Sequence, residues 1–139
     1  MIVKCIHNTG AALTGYERKP LGTSEHTQYG ELDIGKEYLV MGMIMKRGYL
    51  TYLLDDSGII SACPSQLFDI SNSTIPVDWH FKAFTKEHSD YLNKEAVWGY
   101  HELVFDDTHY EKLVEGEEEA ERIYFKRKIE LEKELAEQQ

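Results

Sequence analysis

The chain has 139 residues, of which 42% are hydrophobic and 12% aromatic, enough to close a core without disulfides, so most of it is not intrinsically disordered. Lys and Arg number 15 against 25 Asp and Glu, a formal charge of -10, which excludes phosphate-backbone binding as the principal task because that binding needs a positive surface. No apolar run approaches the roughly 20 residues that cross a bilayer, and Met1 to Ile6 is too short and too early charged for a signal-peptide core, so the expectation is a soluble cytoplasmic protein with neither membrane nor nucleic acid as partner.

A short apolar strand is expected over Ile2 to Ile6. The stretch that follows holds Gly10, Gly15, Gly22, Gly30, Gly35 and Pro20, is polar, and has neither helical nor strand period; it reads as a long loop, the kind of segment where binding specificity resides. Further strands are expected at Tyr38 to Met45, Tyr49 to Leu54, Ile59 to Cys63 and Leu67 to Ile70. Arg47-Gly48 and Asp56-Ser57-Gly58 are the turns that close successive hairpins. Short strands at this spacing point to a small antiparallel barrel or sandwich. Cys5 and Cys63 fall on strands and read as ordinary buried thiols, and no Cys-x-x-Cys or zinc spacing is present.

Two segments carry a resemblance: Leu32-Asp33-Ile34-Gly35-Lys36-Glu37-Tyr38-Leu39-Val40, and Gly58-Ile59-Ile60-Ser61-Ala62-Cys63-Pro64-Ser65-Gln66-Leu67-Phe68. With the long first loop and the hairpin between them, residues 1–72 resemble the Src-homology-3-like barrel, which implies a diverging turn before Tyr38 and a 3₁₀ turn over Pro64 to Leu67. The aromatic cluster and the Trp that form the proline-peptide groove of that family are missing from His7-Asn8-Thr9-Gly10 and from Tyr49 to Asp55, so only the barrel is implied.

Residues 73–139 form an acidic extension expected to pack with the barrel as one unit. They hold nine basic and seventeen acidic residues, against six and eight in residues 1–72. Pro76-Val77-Asp78-Trp79-His80-Phe81 reads as an extended segment pinned by its aromatics, Thr85 to Lys94 as a short helix or loop, and Val97 to Phe105 as a strand. Asp106-Asp107-Thr108, with Glu111 three residues beyond Thr108, has the pattern of a capping box opening a helix near Tyr110. Tyr110, Leu113, Val114, Ala120, Ile123, Tyr124, Leu131 and Leu135 keep a 3.6-residue period, so that helix runs to about Leu135, with a break available at Gly116. Its last third is mostly charged, the composition of a helix that projects into solvent or docks to a second copy of the chain, and Ala136 to Gln139 should fray. The fold class is therefore α+β: a small antiparallel barrel with added strands and a long C-terminal helix.

No Gly-x-Ser-x-Gly, His-Glu-x-x-His or phosphate-binding loop is present, and His101 and Glu102 on one strand would face opposite ways. The expectation is a protein without catalytic residues, metal or cofactor. The candidate partner-binding residues are acidic. Glu102, Asp106, Asp107, Glu111, Glu115, Glu117, Glu118, Glu119 and Glu121 face a single Lys within residues 102–121. Acids favour a helix start and Glu118 to Arg122 is a well-spaced pair, yet Glu117-Glu118-Glu119 is nearly a full turn of like charge that a basic partner would relieve. Trp98 and Tyr100, with Tyr49, Tyr52 and Trp79, are the candidate aromatic anchors. A carboxylate at Asp107 is expected to be desolvated beside Trp98 and Tyr100, whereas Glu118 only steers. Lys126-Arg127-Lys128 is expected to satisfy the helix's own acids.

In overall style the chain is similar to bacterial immunity proteins, which neutralise a cognate toxin. A basic, nuclease-type toxin is the partner that such a charge would be steered towards. The alternatives are a peptide- or ligand-binding scaffold module self-associating through its C-terminal helix, and an enzyme with an unrecognised site.

Overall fold

The structure, a computed structural model, describes residues 1–19, 21–84 and 94–138. The expected helix or loop from Thr85 lies outside the described residues up to Asn93. The chain is α+β. β1 (Ile2–Cys5) is followed by a 3₁₀ turn, Gly10–Ala12, and a single-turn helix α1 (Gly15–Arg18). Next come β2 (Glu37–Leu39), β3 (Gly42–Lys46), β4 (Tyr49–Asp56), β5 (Ile59–Pro64), a 3₁₀ turn at Ser65–Leu67, and β6 (Phe68–Asn72). β7 (His80–Ala83) and β8 (Lys94–Gly99) precede three helices, α2 (His101–Phe105), α3 (His109–Val114) and α4 (Glu118–Glu137).

All described strand pairs are antiparallel, in two sheets ordered β2-β1-β6 and β5-β4-β3-β8-β7. The two hairpins form as their turn residues dictate. Gly42 to Lys46 pairs with Leu53 to Tyr49, and Arg47 and Gly48 both adopt positive φ (48° and 83°); Asp56 pairs with Ile59 across Ser57 and Gly58, again both positive (51° and 91°). Positive φ at both loop residues gives the twist that matches paired strands. β3 pairs with β8 on its other edge, so strands from both halves of the sequence share one sheet.

Side-chain alternation on that central sheet produces two cores. Met43, Tyr52, Leu54 and Cys63 face the three-stranded sheet and pack with Val3, Cys5, Tyr38, Val40 and Phe68; Ile44, Leu53 and Val97 face the helices and pack with Leu103, Val104, Leu113 and Tyr124. The result is three layers: small sheet, central sheet, helices. The expected single strand from Tyr38 to Met45 is divided here. Val40 and Met41 are both fully buried, one in each core, so the chain turns the corner between sheets at that point.

Further segments differ from their expected form. The expected strand from Val97 to Phe105 ends at Gly99. A Cβ at Gly99 or at Gly42, which pairs with it, would stand within 2.6 Å of Leu103 Cδ2, so two opposed glycines give α2 its seat on the sheet. The long loop is not without structure: Thr14 and Glu17 form a capping box, with the Glu17 N–H donating to Thr14 Oγ1 (3.1 Å) and the Thr14 N–H to Glu17 Oε1 (2.9 Å). Thr108 is the N-cap residue of α3 as expected but makes no side-chain capping bond; its N–H and hydroxyl donate to Asp106 Oδ1 at 3.0 and 2.8 Å. Finally, the helix expected to run from Tyr110 to Leu135 is two helices, broken at Gly116 with φ 74°.

α4 does not project. Leu131 is buried in the helical core, and half-buried Leu135 lines a small pocket with Met1, Leu39 and Pro76. Nor does its basic run mainly serve the helix's own acids. Arg127 bonds Glu130 at 3.0 Å but grips Glu102 of α2 with two bonds of 2.9 Å, and Lys128 donates to Asp55 of β4 at 2.8 Å.

Candidate functional site

The acidic residues of α2, α3 and α4 fall into two sets. The first is engaged by neighbouring groups of the chain, Glu102 half-buried and Asp106 exposed. Burial would raise the Glu102 carboxyl, but the Arg127 hydrogen bonds and charge outweigh it and hold the group below the usual carboxylate range. Asp106 is likewise held low, by the side-chain and backbone hydrogen bonds from Thr108. Both carboxylates build the fold locally.

The second set lies at the surface. Asp107 is 71% exposed, with Lys82 Nζ 3.3 Å away, and Glu118, 92% exposed, shares Arg122 with Glu119 at 3.7 and 3.0 Å. Glu115 and Glu117 flank Gly116 and are exposed; Glu111 and Glu121 are half-buried. Glu117 is the N-cap of α4 and caps with backbone alone, which leaves its carboxylate outward beside Glu118 and Glu119. Acids there complement the helix dipole, so the cluster forms at little cost to stability. The geometry is a corner: α3 ends, the chain reverses its φ at Gly116, and α4 begins, with carboxylates before and after the bend.

The expected contrast between Asp107 and Glu118 is not present. Asp107 stands in open water, because Tyr100 is turned inward. Tyr100 is 4% exposed and its hydroxyl lies 2.6 Å from His109 Nε2 in the helical core. Trp98 is half-buried, tilted against Phe81 at 4.9 Å, and packs on the core between the sheets. Tyr52 is buried as well. Of the proposed anchors, Trp98 and Trp79 keep part of their surface and Tyr49 is half-buried.

Two features escaped the sequence. His80, His101 and Phe105 form a ring cluster with centroids 5.1 to 5.6 Å apart, beside a cleft of about 800 Å³ between β7 and α4. It was hidden because His101 opens a helix rather than continuing a strand. Asp55 is the second: it reads as a turn residue before Ser57-Gly58 yet is buried and bonded to α4. Among the described residues no group of three potential ligands is placed to hold a metal ion, and no helix is long and apolar enough to cross a membrane. Comparison with protein families, curated proteins and solved structures finds no match to this chain.

Proposed function

We propose that this chain is a cytoplasmic binding protein that acts without catalysis, docking its acidic α3–α4 corner against a basic protein, and that the partner is a nuclease-type bacterial toxin whose active cleft it occludes. The observation that carries this reading is the division of the charges. Arg127 and Lys128 of α4 are committed to Glu102 and Asp55, so neither offsets the exposed carboxylates at the corner. A nuclease must hold phosphates and so presents a positive cleft, towards which such a surface is steered. The Src-homology-3-like character of residues 1–72 belongs to the same proposal, as a scaffold rather than as a peptide reader.

The test is affinity capture from the native host with the full chain as bait, joined to inspection of the neighbouring gene. A single basic, toxin-like partner encoded next door, whose nuclease activity the chain abolishes, is the expected outcome. A metabolic or phage-structural partner would reject the proposal.

A further inference from the structure

Among the four arginines, Arg47 is the exception to ion pairing. Arg18, Arg122 and Arg127 are each in ion pairs, whereas among the described residues neither Arg47 nor Lys19 is. These two line the same cleft, of about 760 Å³, together with Tyr16, Tyr49, Gly15 and Gly48. On a chain of charge -10 this cleft is lined by two cations and two phenols, with the Glu95 carboxylate at its edge on the Gly48 N–H.

Both walls are fixed. On one side the capping box locks α1, and Arg18 Nε donates to the Gly10 carbonyl at 2.9 Å, so Tyr16 and Lys19 project from an anchored turn; Tyr16 is 85% exposed, the position of a ring held out in water rather than folded away. On the other side the Arg47-Gly48 turn is fastened by the Gly48 N–H donating to Glu95 Oε1 of β8 at 2.7 Å. Tyr49 follows immediately on β4 and lines the cleft opposite Tyr16, its hydroxyl raised above the usual range by desolvation and by the nearby Tyr16 and Glu17. Gly15 and Gly48 add no side chain, and a Cβ at either would meet nothing within 4 Å, so the cleft floor is open.

We infer that this cleft binds a nucleoside 5′-phosphate, either free or as the end of a single strand, with the base stacked on Tyr16 and Tyr49 and the phosphate held by Arg47 and Lys19. Aromatic rings stack any base, and a guanidinium with an ammonium suits one phosphate group. The net charge that opposes an extended phosphate backbone does not oppose one phosphate at a local pair of cations. This inference stands independently of the toxin-inhibitor reading, since it uses none of the acidic corner.

The experiment is an amide chemical-shift titration of the full chain with 5′-AMP, adenosine, inorganic phosphate, a 5′-phosphorylated tetrathymidylate and a phosphotyrosine peptide. 5′-AMP should move the Gly15, Gly48 and Tyr49 amides, and adenosine should bind at least about fivefold more weakly because it lacks the charge-assisted bonds. Tyr16→Ala, at an exposed position, should weaken 5′-AMP by about 5- to 100-fold, and Arg47→Gln and Lys19→Gln should each weaken it while lowering its salt dependence. Tighter binding of the tetranucleotide assigns the site to a strand end; tighter binding of 5′-AMP assigns it to the free nucleotide. Absence of shifts at about 10 mM 5′-AMP, phosphate binding as well as 5′-AMP, or tighter binding of the phosphotyrosine peptide would each overturn the inference.

Discussion

Asp55, nearly buried at the end of β4, accepts from both Tyr124 (2.9 Å) and Lys128 (2.8 Å) through one oxygen, and so ties the helical layer to the central sheet. Replacing it with Asn weakens both bonds and leaves Lys128 without its counter-charge. Asp55→Asn should lower stability by about 2–3 kcal/mol, measured as a shift of the urea midpoint at unchanged slope. His109 is the second residue of consequence. Burial lowers its pKa, with Asp106 and Glu102 offsetting part of that effect, so the folded protein refuses a proton that the unfolded chain accepts. Stability is therefore full above the unfolded value of about 6.5 and falls as pH drops below it towards the folded pKa. Asp56, Glu102 and Asp106, held low by their partners, lose their contributions only as pH falls below the usual carboxylate range, and the Met1 amino group, held low by burial, begins its loss from about pH 8, so the share that belongs to His109 is the part that His109→Gln removes. Urea midpoints at pH 7.5 and 5.5 should show this loss in the wild type and less of it in His109→Gln. Neither residue was legible in the sequence. An Asp next to a turn and a lone His in a capping pattern look like surface, and only the packing of α4 and α2 across them makes them buried.

At the scale of elements, the hairpins were legible because a two-residue turn has a chemical requirement that Gly48 and Gly58 state outright. The helices were less so. Periodicity continued through Gly116 because Leu113, Ala120 and Tyr124 fall into one core on both sides of the bend, and a periodic pattern registers the shared face rather than the break. The φ of 74° at Gly116 lets α3 turn into α4 and sets Glu115, Glu117 and Glu118 around one corner. Gly116→Ala should cost about 1 kcal/mol or more in stability, because Ala resists that φ, and should splay the acidic corner. The strand-to-helix change at Gly99 was invisible for another reason: it depends on Leu103 descending on Gly42, a contact between residues 61 positions apart in the chain.

For the whole molecule, composition already held the main fact, an acid excess concentrated in the second half, while the spending of Arg127 and Lys128 on Glu102 and Asp55 could be seen only in three dimensions. Because Asp107 and Glu118 are both exposed, Asp107→Asn and Glu118→Gln should act alike, slowing association with a basic partner and leaving dissociation unchanged. The central claim, that the exposed corner steers a basic partner, is tested most directly by one measurement. The association rate of the partner with the wild type, and with a variant carrying Glu115→Gln, Glu117→Gln, Glu118→Gln and Glu119→Gln, is followed from about 0.01 M to about 0.15 M salt, over which the screening length falls from about 30 to about 8 Å. The account predicts a several-fold fall for the wild type and a much shallower one for the variant; equal rates for the two proteins, unmoved by salt, would contradict it.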